Sequence, residues 1–351
     1  MRILHMLKSS AFSGAENVAC QIISQFSEGN TVAYCSPDGD IADALRSRGV
    51  TFLPMKKPSF SEARRVIGEF KPDIIHAHDM GASLYAAMGC KKIPLILHIH
   101  NNCYDARGIS VKSLAFLPAA KKASHIFWVS KSSLEGYRFG KMFYDKSSVL
   151  YNVIDGDAVR QKAGEGERYD ILYVGRLTYQ KHPERLLDIV SLVKKNIPDV
   201  RVAIAGTGEL FDSVKAYCSE LGLDENVDFL GFVKNPHSLM KNAGVMLMSS
   251  RWEGTPICAL EAQALGLPVV STAADGLVDM IENGVNGYLE EDDDTIAKRV
   301  TDILTDSALR KKLGDNSERL SRERNDINAY KKKIEAEYEK SICNNNNVRR
   351  R

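Results

Sequence analysis

Short, continuously apolar runs alternate with longer amphipathic segments along most of the chain. In the first half the runs are ILHML (3–7), TVAYCS (31–36), VTFLPM (50–55), DIIHAH (73–78), PLILHIH (94–100), HIFWVS (125–130) and SVLYN (148–152). Segments of helical period, such as GAENVACQIISQFSE (14–28) and SEARRVIGEF (61–70), lie between them. Runs apolar throughout predict strands covered on both faces, and strand–helix alternation predicts a parallel sheet with crossover helices. The polar stretch DGDAVRQKAGEGERY (155–169) reads as a linker. The pattern then restarts with DILYVGR (170–176), VRVAIAG (200–206), NVDFLGF (226–232), GVMLMS (244–249) and LPVVST (267–272). The expected class is therefore α/β, with two doubly wound Rossmann-like domains at 1–160 and 161–325. Residues 292–341 are charged and helical in period, and predict no further strand. A helix at 326–343 is expected to pack back on the first domain, and the tail NNNNVRRR (344–351) is expected to be disordered.

A length of 351 residues suits two domains of ordinary size. The net charge of +2 excludes a nucleic-acid binder or acidic-tail protein on bulk charge. Residues 1–165 hold 21 Lys and Arg against 15 Asp and Glu, whereas the remainder holds 26 against 30. That imbalance is either ordinary scatter or a basic first half facing an anionic membrane surface or phosphorylated acceptor. Seven cysteines without a CxxC pair indicate a reducing compartment and argue against structural zinc. The opening MRILHML reads as a buried strand and not as a signal peptide, and no apolar run reaches about 18 residues. A cytoplasmic protein is expected, with any membrane association peripheral.

Doubly wound sheets bind ligands at the carboxyl ends of their strands, so the loops there carry the candidate chemistry. Gly14, in KSSAFSGAENV (8–18), permits close approach of a phosphate to a helix N-terminus, or simply closes a turn. GxGxxG is absent, which disfavours a nicotinamide oxidoreductase. In VGRLTYQKHPERLL (174–187), Arg176 and Lys181 are two cations at one strand end, suited to a diphosphate or else solvated separately. The glycines of AGTGEL (205–210) read as turn closure. GFVKNPHSLM (231–240) could offer backbone to a flat heterocycle.

Histidines pair at HAHDMG (76–81) and HIHNN (98–102), two apart and so on one side of each strand. A hydrogen-bonding role toward a polar substrate is favoured over zinc, with His100 the first choice and His98 the alternative. No metal site is expected. The stretch SSRWEGTPICALEAQALGLPVV (249–270) reads as loop then helix, with Thr255 as N-cap and Pro256 as first helical residue. Free amides at Ile257 and Cys258 would point toward the strand end. Glu253 lies in the loop. Glu261 lies on an apolar helix, where a carboxylate needs a partner. Cys258 reads as packing and not as a nucleophile.

Together, SGAEN (13–17), HIHN (98–101), YVGRLTYQKH (173–182), AGTGEL (205–210), VDFLGF (227–232), SSRWEGTPICALEAQALGLPVVST (249–272) and NGVNGYL (283–289) resemble glycosyltransferase family 4, of bacterial surface-polysaccharide type. The resemblance spans about residues 1–320. It implies the GT-B fold and retaining transfer of a hexose or N-acetylhexosamine from a nucleotide sugar to a lipid-linked or cell-envelope acceptor. A UDP-sugar donor is expected ahead of GDP- or ADP-sugars, with no cofactor and no metal. By the same resemblance Glu253 contacts sugar hydroxyls, Glu261 the ribose, Arg176 and Lys181 the diphosphate, Gly14 a phosphate and His100 the reacting centre. Phe232 and Val233 meet the base, and the helix start at Thr255, Ile257 and Cys258 completes the donor site. No catalytic base is implied. Two departures are Ser13, where many members have glycine, and Ile257, where many have glycine. A GT-B 2-epimerase and a non-catalytic sugar-nucleotide binder are the alternatives.

Overall fold

The protein is described by a computed structural model covering residues 1–350, with side chains through Asn347. The chain divides into two compact units, Met1–Asn152 with Asn328–Arg351, and Val153–Ile327.

The first unit is built on six parallel strands: β1 (Arg2–Met6), β2 (Thr31–Cys35), β3 (Ile74–His78), β4 (Leu95–Ile99), β5 (His125–Trp128) and β6 (Ser147–Val149), in the order β2-β1-β3-β4-β5-β6. The second has β7 (Ile171–Val174), β8 (Val202–Ala205), β9 (Val227–Gly231), β10 (Val245–Met248), β11 (Val269–Ser271) and β12 (Gly287–Leu289), in the order β12-β11-β10-β7-β8-β9. In each sheet the winding reverses once, between β1 and β3 and between β7 and β10. Crevices at such reversals are where open α/β sheets take ligands.

The two faces of the first sheet differ. Leu4, Met6, Ile75, Ala77, Leu97, Ile99, Ile126 and Trp128 pack into an apolar core against helices such as Phe60–Phe70 and Val111–Lys122. The register places His5 beside His76, His78 beside His98, and His98 beside Phe127 on the opposite face. His100 and His125 belong to the same face by alternation, so it holds six of the chain's eight histidines. The helix Ile327–Arg350 lies against this face: Tyr338 is buried and its hydroxyl is 2.6 Å from His76 Nδ1, while Glu337 is 3.3 Å from His125 Nδ1.

Four expectations need correction. The VTFLPM segment runs beside β2 but forms only isolated bridges, Tyr34 with Phe52 and Pro37 with Met55. Leu53 N and Met55 N donate to Tyr34 O and Ser36 O at 2.8 Å, on either side of Pro54. The segment expected as a linker contains the helix Gly156–Lys162, capped by the Asp155 carboxylate, which accepts from Ala158 N at 2.9 Å. The boundary accordingly falls at Asn152/Val153 and not near 160. The three-residue strand β12 was not anticipated, because its residues are too few to show a period. The tail expected to be disordered at 344–351 continues the last helix through Arg350, and Arg351 lies outside the described residues.

The AGTGEL glycines are demanded by packing. A Cβ on Gly206 would stand 1.7 Å from Gly175 O, and one on Gly208 2.2 Å from Leu177 O. Both obstacles are backbone atoms of the β7 loop, which cannot swing aside. Gly206→Ala is therefore expected to destabilise the protein by about 3 kcal/mol. A urea melt reads this as a lowered midpoint at unchanged slope, and an unchanged midpoint would contradict the packing described.

Candidate functional site

The second unit gathers its expected site residues at the β7/β10 reversal. Arg176 follows β7 and is exposed, and Tyr173 donates a hydrogen bond to its carbonyl at 2.8 Å. Lys181 lies at the end of the same loop. Loop 176–182 is laced to loop 249–253: Arg251 N donates to Gln180 O at 2.8 Å, Gln180 Nε2 donates to Trp252 O at 2.9 Å, and the Arg251 guanidinium stacks 4.3 Å over the Tyr179 ring. This lacing brings Lys181 Nζ to 2.5 Å from Glu253 Oε1, with Ser250 Oγ donating to the same oxygen at 2.5 Å. Glu253 is buried, as is Ser250, whose own carbonyl accepts from Thr272 Oγ1 at 2.7 Å. Burial works against the Lys181 charge, but Glu253 beside it outweighs this and holds the ammonium above its ordinary range. Removing either partner of such a buried pair strands the other and costs about 3–5 kcal/mol.

The helix that follows is Ile257–Ala264. Pro256, not Thr255, occupies its N-cap, because the backbone there is extended (φ −69°, ψ 121°) and becomes helical only at Ile257. Thr255 is buried in the loop ahead of it. Cys258 lies in the field of Lys181, Glu253 and Glu261, and burial pushes its thiol up to about 12, so it stays protonated and inert. Glu261 has the partner its setting required: His237 Nε2 stands 3.1 Å from its carboxylate. His237 opens the helix His237–Asn242 after β9, and nothing in the sequence pointed to it. Phe232, at the end of β9, is 77 % exposed, and Val233 beside it is half-buried. A large open cleft at Arg168–Asp170, Arg201 and Lys241–Gly244 lies at the amino ends of β7, β8 and β10, opposite these residues.

In the first unit, Gly14 begins the helix Gly14–Phe26 behind a capping box formed by Ser13 and Glu16. A Cβ there would meet nothing within 4 Å, so protein packing does not require the glycine. The histidines are more deeply placed than expected. His5, His76, His78 and His98 are fully covered, and only His100, at the carboxyl end of β4, retains slight exposure at 7 %. Asp79, in left-handed backbone at φ 65°, accepts from His100 N at 3.0 Å. His5 and Asp79 were missed, although a histidine inside ILHML was a visible anomaly.

Two histidine triplets bring ligand atoms close enough to hold an ion: His5 with His76 and His78, and His78 with His98 and His100. Their rings, however, stack. Interplanar angles are 15° for His76 on His78 and 29° for His98 on His100, while His78 meets His5 and His100 edge to edge through nitrogens 2.9 and 2.8 Å apart, too close for an ion between them. Lone pairs lie in the ring planes, so stacked rings do not converge on one ion without turning.

Burial drives all five rings to the neutral form. It pushes His5 and His100 down to about 3, and His76, His78 and His98, which also feel each other, well below their ordinary value. Burial also raises Asp79 to about 7, against the opposing hydrogen bond from His100 N.

Comparison with known proteins now adds to this geometry. Residues 155–320 match the family described as glycosyl transferases group 1, and residues 12–158 match glycosyltransferase family 4. An uncharacterized glycosyltransferase of Methanocaldococcus jannaschii is 30% identical over 286 residues, 72% of each chain. The chain belongs to glycosyltransferase family 4. An Escherichia coli relative of this family-4 protein, UDP-Gal:alpha-D-GlcNAc-diphosphoundecaprenol alpha-1,3-galactosyltransferase, is 22% identical over 88% of this chain and 89% of that one. Anabaena HepE, crystallised with UDP-glucose, superposes with a TM-score of 0.85 at 21% identity, covering 96% of this chain and 98% of that one. The family-4 chain thus has the GT-B fold, with two six-stranded parallel sheets.

The histidine array sets a pH dependence. Each ring is neutral in the folded state but takes a proton near pH 6.5 once unfolded, so this stability is complete above pH 6.5 and lost as pH falls. Asp79 acts oppositely, since the folded state protonates it first. Below pH 6.5 the unfolded chain therefore takes up more protons than the folded one, since five rings outweigh the single carboxyl, and stability falls as pH falls. Urea melts at stepped pH should show a steep loss below pH 6.5. A flat profile from pH 7 to 5 would rule out a buried neutral array.

Proposed function

We propose that this protein is a retaining hexosyltransferase that moves a sugar from a UDP-sugar to a lipid-linked or cell-envelope glycan acceptor at an anionic membrane surface. The observation that carries this reading is the buried Lys181–Glu253 pair at the β7/β10 reversal, with exposed Arg176 on the same loop. A diphosphate arriving there meets Arg176, Lys181 and the first amides of the helix Ile257–Ala264. As Lys181 turns to the phosphate, Glu253 gains a free oxygen for sugar hydroxyls. Glu261, backed by His237, accepts from a ribose, and Phe232 with Val233 offers an apolar surface to the base. Gly14 leaves room for a phosphate at its helix start, and Thr255 closes the loop beneath the sugar. UDP and UDP-glucose in HepE crystals, and galactosyltransferases acting on lipopolysaccharide among the relatives, support the donor and acceptor classes.

The chemistry follows from charge. Breaking the glycosidic bond leaves a nucleoside diphosphate, and cations already in place stabilise it without reorganisation, at about 3 kcal/mol for a well-placed donor. Arg176 is the cleaner probe, because it is exposed while Lys181 and Glu253 support each other in the interior. Arg176→Ala is expected to lower transfer by about 10²-fold with the melting temperature unchanged. UDP-glucose or UDP-galactose should raise the wild-type melting temperature and GDP- or ADP-sugars should not. Near wild-type turnover in Arg176→Ala, or no response to any UDP-sugar, would refute the assignment.

The membrane part rests on one segment. Residues 1–89 hold nine basic and nine acidic side chains, whereas residues 90–146 hold ten basic and three acidic. That same segment exposes Tyr104, Ile109, Val111, Leu114, Met142 and Tyr144, with Ile109 at 71 % and Val111 at 85 %. Apolar side chains among lysines and arginines suit the interface of an anionic bilayer. No helix among the described residues is long and apolar enough to cross a membrane. Flotation with vesicles of mixed neutral and anionic lipid should show binding that weakens about ten-fold in Ile109→Asp/Val111→Asp. Binding independent of anionic lipid, or unaffected by the double substitution, would remove the membrane from the proposal.

A further inference from the structure

The histidine face holds more order than a single donor contact needs. His5 Nδ1 lies 2.9 Å from His78 Nε2, and His78 Nδ1 lies 2.8 Å from His100 Nε2. Three rings on three neighbouring strands therefore make one hydrogen-bonded chain that runs toward the carboxyl edge of the sheet. At its two ends, His5 Nε2 and His100 Nδ1 are buried and have no hydrogen-bond partner. His98 stacks on His100 at 4.1 Å, and Asp79 holds the His100 main chain. The position of the last ring is thus determined from three sides.

A neutral imidazole has one N–H and one bare nitrogen, so a chain of three has two consistent proton arrangements. In the first, His5 Nδ1–H donates to His78 Nε2, and His78 Nδ1–H donates to His100 Nε2. His100 then carries its proton on Nδ1, and His5 Nε2 is bare. In the second, every proton sits on Nε2, His100 Nδ1 is bare, and His5 Nε2–H is left without an acceptor. Passing from the first to the second shifts a proton across each hydrogen bond, releases one from His100 Nδ1 and adds one at His5 Nε2. Each arrangement leaves one N–H without an acceptor in the chain, at His100 Nδ1 in the first and at His5 Nε2 in the second, and the two ends differ in how deeply they lie. His5 is fully covered, and a buried N–H without an acceptor is the rarer and costlier defect. Only the His100 end lies near the strand edge, where a ligand oxygen can reach it.

We propose that His5 and His78 are positioning residues that lock His100 in its Nδ1–H form, so that it presents a fixed hydrogen-bond donor to a substrate oxygen at the carboxyl edge of this sheet. This rests on the proposed transfer activity and adds to it a substrate contact at His100. The required form is the minority one for a free imidazole, which makes it a distinctive signature.

The test is ¹⁵N-histidine NMR on the full chain, combined with transfer kinetics. Wild-type His100 should show a protonated Nδ1 and a bare Nε2 between pH 6.5 and 8, and a proton on Nε2 would overturn the proposal. In His78→Phe the Nδ1 preference should disappear. The kcat should fall about ten-fold or more, with KM for the donor within about two-fold. His78→Gln, whose amide can still donate to His100 Nε2, should recover part of that loss, which a purely structural role would not produce. Wild-type kcat in His78→Phe together with impaired transfer in His100→Asn would overturn the lock while leaving the functional reading intact. Unimpaired transfer in His100→Asn would instead overturn the substrate contact at His100, and the His100 tautomer in His78→Phe would then decide the lock alone. If His78→Phe does not fold, the wild-type spectrum and His78→Gln decide it.

Discussion

Taking an ionisable group out of water is costly unless it is neutralised or paired, and both halves of this protein are organised around that constraint. Parallel sheets covered on both faces leave no solvent for a polar side chain along a strand. The second unit resolves the problem by pairing, with Lys181 and Glu253 meeting at 2.5 Å behind β7 and β10. The first unit resolves it by neutrality, with five histidines held uncharged on one face of β1, β3 and β4, three of them joined in one hydrogen-bonded chain.

These solutions have different consequences for ligand binding. An ion pair is a stored charge arrangement. On the proposed function a diphosphate competes for the cation and the carboxylate turns to hydroxyls, so substitution of either residue is expected to affect stability and recognition together. A neutral imidazole array stores orientation rather than charge. It contributes directional donors and acceptors whose identity depends on where each proton sits, and that is determined by the most deeply buried ring.

The last helix illustrates how distant sequence completes a local environment. Tyr338 places its hydroxyl on His76, and its ring packs on Phe26, so residues near the end of the chain close over a face made by the first hundred. Without that cover the histidine face would be hydrated, and the reason for its neutrality would vanish. The basic, apolar segment at 90–146 belongs to the same unit but lies apart in sequence from the residues that build the array, apart from β4 and β5.

Much was legible from the chain alone, because some signals are local. Buried strands read as apolar runs, and every strand but β12 was marked by one. The loop residues Arg176, Lys181 and Glu253 stood out by position after strands and Glu261 as a carboxylate on an apolar helix, and the resemblance to family 4 rested on those motifs. The AGTGEL glycines were read correctly as closing a turn, and the structure adds which backbone they approach. What the sequence could not carry was pairing across distance. Glu253 and Lys181 are 72 positions apart, Glu261 and His237 are 24 apart, and His76 and Tyr338 are 262 apart. VTFLPM has strand composition and hydrogen-bonds to β2, yet it pairs only through isolated bridges. The cap at Pro256 instead of Thr255 turned on a single backbone angle. Composition and period determine which residues must be buried; only the folded chain decides which buried groups find each other, because hydrogen bonds and ion pairs depend on ångström distances that sequence separation does not encode.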